Sequence, residues 1–187
     1  MSYSIEEHLM ASYETFRKTI QLSSKIESIS KLLVDSLRSQ GTIYWFGNGG
    51  SASDAEHLAA ELSGRFALDR APLNSISLTC NSSVVTAIAN DYGFENIFSR
   101  QIDAHVQSGD IAIGISTSGK SINVLKGLKT AKDRGAVTIL FTGENYRDIS
   151  EFDHVLIAPS QITAQIQEAH IAIGQAICGF VESEMST

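Results

Sequence analysis

The sequence has little of what marks several whole classes of protein. Two prolines among 187 residues leave no linker-rich stretch at which the chain would divide. Two cysteines, Cys80 and Cys178, are too few and too far apart for a disulfide framework or a zinc ribbon, and both are expected as buried, reduced thiols. Lysine and arginine number 14 against 21 aspartates and glutamates, a net charge of -7. A chain so short of positive charge is poorly suited to nucleic acid or to an anionic membrane surface. No apolar run is long enough to cross a bilayer. The first residues, Met1 to His8, lack a basic segment leading into an apolar one. These absences predict a cytoplasmic protein with no nucleic-acid and no membrane partner.

What is present is a chain with 43% hydrophobic residues, enough to build one globular unit around a core. Leu9, Tyr13, Phe16, Ile20, Ile26, Ile29, Leu32, Leu33 and Leu37 recur at helical spacing, which predicts two helices over 5–40 with a break near Ser23 and Ser24. Short apolar runs follow, the first stopping at a glycine, and predict strands at 42–46, 74–78, 111–115, 137–141 and 154–157. Helical stretches separate them, and one long amphipathic helix covers 161–185. Strand and helix in alternation imply right-handed crossovers. The expected fold class is α/β: a flavodoxin-like, doubly wound five-stranded parallel sheet with helices on both faces and two extra N-terminal helices. The whole chain, 1–187, reads as one domain. Its first 40 residues form a helical extension suited to packing on the core or on a partner subunit.

Two small-residue loops directly follow predicted strands, where such sheets bind ligands. Gly47-Asn48-Gly49-Gly50-Ser51 turns the chain out of the first strand into a helix, whose free N–H groups and dipole favour an anion. Ser116-Thr117-Ser118-Gly119-Lys120-Ser121 offers four hydroxyls within six positions, again at a helix start. We read neither as a nucleotide signature. Each loop alone could be an ordinary connection; two on neighbouring strand ends point to a phosphate.

His57 and Glu61 lie four apart, on one face of the helix after the first loop. Such a pair can hold a metal, and the carboxylate can act as a base; a salt-bridged surface pair is the alternative. Gln167 and Gln175, near Glu168 and His170, sit two turns apart on the last helix, where a buried glutamine needs a partner. Asn90-Asp91-Tyr92-Gly93 reads either as a turn or as two side chains for sugar hydroxyls.

Five blocks together resemble the phosphoheptose isomerases of the sugar isomerase domain superfamily: Gly47 to Ser51, His57 to Arg65, Asn90 to Arg100, Gly114 to Ser121 and Ile166 to His170. They occur in the family's order over nearly the whole chain. The resemblance implies an aldose–ketose isomerase that converts sedoheptulose 7-phosphate to D-glycero-D-manno-heptose 7-phosphate, for lipopolysaccharide and other surface glycans. It implies a homotetramer with active sites at subunit interfaces, and a zinc ion in each subunit. Asn48, Gly49, Gly50, Ser51, Glu61, Asn90, Asp91, Ser116, Thr117, Ser118, Ser121 and Gln167 would then contact substrate. His57, Glu61, Gln167 and Gln175 would hold the metal, with Glu61 the base. Gln175 stands where the family usually carries a histidine, its proposed proton donor, and a carboxamide cannot titrate at neutral pH. Gln165 stands where an arginine is common, which removes a charge from local pairing. The alternative class is a non-catalytic sugar isomerase domain of the kind that associates with the replication initiator, which has lost the His-and-Glu pair retained here.

Overall fold

Alternating apolar strands and amphipathic helices leave few ways to bury every apolar face, and the chain adopts one of them. The computed structural model describes residues 3–146, 148 and 150–186. Five strands, β1 (Ile43–Gly47), β2 (Ser75–Ser77), β3 (Ile111–Ile115), β4 (Val137–Gly143) and β5 (His154–Ala158), form one sheet in the order β2-β1-β3-β4-β5. Every pairing is parallel. The doubly wound α/β expectation holds, and each strand begins and ends within two residues of its predicted range. The chain reverses direction across the sheet between β1 and β3, so their carboxyl ends flank the crevice where such folds bind ligands.

Among the described residues seven α-helices cover the two faces: α1 (Ile5–Thr19), α2 (Ser23–Arg38), α3 (Gly50–Ser63), α4 (Ser82–Tyr92), α5 (Ser99–His105), α6 (Ile122–Asp133) and α7 (Thr163–Met185). A 3-10 turn, Ile20–Leu22, joins α1 to α2 just before the expected break. Side chains alternate along the strands. Ile43 and Trp45 of β1 with Ile111, Ile113 and Ile115 of β3 pack against Leu33, Leu58, Leu62, Ile173 and Ile177 from α2, α3 and α7. Tyr44, Phe46 and Ala112 face the other way, onto Phe98, Ile102, Val124 and Leu128 around α5 and α6.

Three expectations change. Asn90 and Asp91 lie in the last turn of α4 rather than in a turn, and Gly93, at φ 89°, ends that helix. Cys178 is buried but Cys80 is exposed. Gln165 is not a weakened charge pair. It is 5% exposed, and its Oε1 accepts hydrogen bonds from Ser160 Oγ at 2.8 Å and Thr15 Oγ1 at 3.4 Å, a neutral link between α7 and α1.

That link belongs to an inverted helix. The face of α1 turned to the core carries Ser12, Thr15 and Thr19, whereas Ile5, Leu9, Met10 and Tyr13 are exposed, as is Ile20 in the turn that follows. Ser12 and Thr19 hydroxyls donate to carbonyls a turn earlier, so the small polar face buries without unpaired groups.

Two buried ionisable groups hold the frame near the site. Glu182, near the end of α7, accepts from the backbone N–H groups of Phe66, Ala67 and Leu68 at 2.8, 2.7 and 2.8 Å, and pairs with Arg70 Nε at 3.3 Å. Arg70 in turn donates to the carbonyls of Glu61 and Leu62 at 2.9 and 2.8 Å, closing the C-terminal end of α3. Burial works against ionisation of Glu182, but the three N–H donors and the guanidinium outweigh it and hold its carboxyl below the usual range. His170 is fully buried on α7 beside the Phe141 ring, and its Nε2 donates to the Thr142 carbonyl at 3.0 Å. Burial pulls its pKa down to about 4, against a raising effect of that hydrogen bond.

Two outcomes follow for stability. Glu182→Gln removes a carboxylate acceptor from three donors and should cost about 2–3 kcal/mol, a fall in melting temperature of roughly 5–10 °C by calorimetry. His170 is neutral in the folded chain while an unfolded histidine takes up a proton near pH 6.5, so its stabilisation is complete above that pH and is lost as pH falls towards 4. The loss is on the order of 3 kcal/mol, and His170→Leu should flatten the melting temperature over that window.

Candidate active site

The register of the central strands sets the site. Phe46 pairs with Gly114 and Gly47 with Ile115, so the two loops leave the sheet side by side. In the first loop Gly49 takes φ 58°, a conformation that favours glycine, and its outer face meets no atom within 4 Å. The backbone there is open to a ligand. A methyl group at Gly50 would stand 2.5 Å from Gln167 Nε2, so glycine is what lets Gln167 of α7 close against this loop. Ser51 is buried at the start of α3, its N–H bonded to Asn48 O at 3.1 Å.

The second loop folds on itself. Gly119, at φ 64°, donates to Ser116 O at 3.0 Å, and Ser116 Oγ bonds Ser121 Oγ at 2.9 Å. Tyr146 lies against Gly119 from outside. Thr117 is half-buried, Ser118 is exposed, and Ser121 directly precedes α6 without a side-chain capping bond. The expectation that neither loop carries a nucleotide signature is wrong for the letters of the second: Gly114 to Ser121 spell the phosphate-loop pattern of nucleotide enzymes, glycine, four residues, then Gly-Lys-Ser. The geometry departs from that device. The N–H groups of Lys120 and Ser121, which such a loop aims at phosphate, are directed to the Ser118 and Ser116 hydroxyls at 3.2 and 3.4 Å.

Asn48 and Asn123 join the loops. Each side-chain amide donates to the other's oxygen at 2.8 Å, and Asn123 is 3% exposed. A cleft of about 400 Å³ opens here, lined by Asn48, Phe94, Glu95, Lys120, Ser121 and Asn123. Asn90 and Asp91 bond to each other at 2.7 Å on the exposed end of α4, and Asp91 lines a different cleft with Arg100, whose guanidinium stacks 3.6 Å over Tyr92. The structure thus brings Phe94 and Glu95, from the same sequence block, to the loops instead.

On α3 the predicted pair is assembled. His57 Nε2 and Glu61 Oε1 stand 2.8 Å apart, with the imidazole half-exposed and the carboxylate largely covered. As donors for a divalent cation they fit, since one imidazole and one carboxylate converge. Among the described residues no three His, Cys, Asp or Glu side chains gather as a metal cluster. Any further donors on α7 are therefore carboxamides. Gln167 lies beside Gly50, about two helical turns from His57, and Gln175 is eight residues, or about 12 Å, further along α7. Gly174, next to Gln175, packs on Leu58, next to His57, so this part of α7 runs alongside the pair.

Three other groups bear on the chemistry. Asp54, one turn before His57, has a buried Oδ2 without a hydrogen-bond partner, and burial raises its pKa to about 6 although the neighbouring His57 opposes this. Neither Asp54 nor Asn123 is among the residues that the sequence singled out. Asp54 was findable from its spacing of three to His57, whereas nothing local distinguished Asn123. Cys178 is no nucleophile: burial, with a further effect of Glu61, pushes its thiol up to about 12. His170, buried and neutral, is not placed to give a proton to substrate.

With this geometry in view, comparison with known proteins is decisive for the family. A model of the SIS domain matches residues 7–143. The phosphoheptose isomerase of Aquifex aeolicus is 48% identical over 161 residues, covering 86% of this chain and 84% of that protein. Solved structures of phosphoheptose isomerases from Neisseria gonorrhoeae and Francisella tularensis superimpose with TM-scores of 0.87 and 0.92, at 36% and 31% identity, each covering 96% of this chain and 97% and 96% of theirs. No helix among the described residues is long and apolar enough to cross a membrane. Sequence, sheet order and loop geometry agree, and the chain belongs to the phosphoheptose isomerase family of SIS domain proteins.

Proposed function

We propose that this chain is an aldose–ketose isomerase converting sedoheptulose 7-phosphate to D-glycero-D-manno-heptose 7-phosphate in the cytoplasm, in the synthesis of heptose for surface glycans. The observation that carries the reading is the His57–Glu61 pair, 2.8 Å apart on the helix that issues from an anion-suited loop. Phosphate would rest against Ser116, Thr117, Ser118 and Ser121, with Asn48, Gly49, Gly50 and Gln167 along the sugar. Asn90 and Asp91 would come into play only where the end of α4 meets a longer ligand or a second subunit.

Isomerisation removes a proton from C1 of the ketose and returns one to C2 of the enediol, which asks for a single base of carboxylate strength. Glu61 fills that role, its carboxylate oriented by His57. The oxygens must also exchange a proton. Gln175 cannot carry it and His170 is buried, so it passes between the adjacent hydroxyls of the enediol itself. A zinc ion held through His57 and Glu61, with carboxamide oxygens of Gln167 or Gln175, would supply Lewis acidity towards the developing negative oxygen.

The site is expected to lie at an interface with a second copy of the chain. The exposed apolar face of α1 and a cleft of about 330 Å³, lined by Tyr13, Phe16, Ile20, Ile26 and Ile173, support such an assembly, a homotetramer in this reading. The carboxamide at Gln175 favours one second reading, a domain that binds sugar phosphate without turning it over.

Turnover separates the two. Glu61→Gln should lower kcat on sedoheptulose 7-phosphate by 10²-fold or more while KM changes little; an unchanged rate removes Glu61 as the base. If the parent binds but does not turn over, and Gln175→His restores the reaction, the binding reading is correct. For the metal, zinc titration by calorimetry should show His57→Ala weakening binding at least ten-fold, and a parent chain that binds no zinc removes the metal from the account while leaving the phosphate site intact.

A further inference from the structure

Asn123 is the second residue of α6, and its side chain is almost completely enclosed, 3% exposed. It lies outside every block that suggested a ligand contact. Its hydrogen bonds fix its orientation. The backbone N–H of Val124 can only donate, and it bonds Asn123 Oδ1 at 3.0 Å. The oxygen must therefore face that N–H and the amide group must face the other way. That group donates to Asn48 Oδ1 at 2.8 Å, and Asn48 Nδ2 donates back to Asn123 Oδ1 at the same distance.

Resting on the sugar-phosphate reading of the site, we infer that Asn123 is a positioning residue: it holds the side chain of Asn48 in one orientation and locks the loop after β1 to the start of α6. An asparagine amide has two N–H donors and an oxygen with two lone pairs. The reciprocal pair uses one of each on Asn48. One N–H and one lone pair remain, on a half-buried side chain that lines the 400 Å³ cleft. Their directions are set before any ligand arrives. A free asparagine would have to be ordered on binding, and its donor and acceptor ends could exchange places. The pair also spans the crevice between β1 and β3, so the two loops present their groups at a fixed separation.

A double-mutant cycle on the full-length protein tests this, with kcat, KM and melting temperature measured for the parent, Asn123→Ala, Asn48→Ala and the double variant. Asn123→Ala should raise KM for sedoheptulose 7-phosphate about ten-fold and change kcat less than three-fold. In the Asn48→Ala background the same change should add nothing, because its effect runs through Asn48. Asn123→Asp keeps the size, the Val124 bond and the helix start but has no proton for Asn48 Oδ1. It should raise KM in the parent and leave Asn48→Ala unaltered, with the melting temperature within a few degrees throughout. A parental KM in Asn123→Ala overturns the inference, as does a KM loss that adds in full to that of Asn48→Ala. Failure of the parent to bind or convert any sugar phosphate is a different result, which overturns the proposed function and this inference together.

Discussion

The parallel pairing of β1 with β3 is the constraint on which the rest of the molecule depends. It puts Gly47 beside Ile115 at the carboxyl edge of the sheet, and each strand then opens into a loop that starts a helix. Had the two strands been separated by another, the loops would stand a further strand spacing of about 4.8 Å apart, and the Asn48–Asn123 pair could not form. The first loop delivers α3 with His57 and Glu61; the second delivers α6 with its hydroxyl-rich entry. The third wall, α7, closes on the first loop and α3, through Gln167 against Gly50 and the packing of Gly174 on Leu58.

Near this edge one buried ion pair fixes the frame. Arg70 is not a surface cation here but a clamp on the carbonyls at the end of α3, ion-paired with a glutamate from the far end of α7. Glu61, the proposed base, therefore sits on a helix fixed at both ends, by the loop turn at Gly49 and by the Arg70–Glu182 network. Preorganisation of this kind matters for a proton transfer, where a displacement of an ångström in the base costs a large factor in rate. The acidic balance of the whole chain is no obstacle, since an anion can be held by N–H groups, hydroxyls and one lysine in a local cleft.

Much of the frame was legible because hydrophobic period is a strong signal. The strand at 111–115 was placed to the residue, and the others within two, since each is a short apolar run ended by glycine or polar residues. The turn reading at Asn90-Asp91 failed because turn propensity is local, while α4 gains its stability from Val85, Ile88 and Ala89 packed against the core. For α1 the periodicity was read correctly as helix, but period alone does not say which face turns inward, and here three small hydroxyl residues do. At the site, the loops and the His57–Glu61 pair were visible from composition and spacing. The Asn48–Asn123 pair was not: it joins residues 75 positions apart, and neither type is diagnostic by itself. The Gly-Lys-Ser of the second loop shows the converse, a pattern complete in letters whose N–H groups are directed elsewhere.

The central claim is that the two loops at the β1–β3 crevice grip the phosphate and cradle the sugar of one ligand. A crystal structure of the protein with sedoheptulose 7-phosphate tests it most directly. The account predicts the phosphate against the Ser116 to Ser121 loop, with the sugar running past Asn48 and Gly49 so that its carbonyl end reaches a Glu61 carboxylate. A phosphate bound away from both loops, for instance in the cleft beside Tyr92 and Arg100, would contradict it.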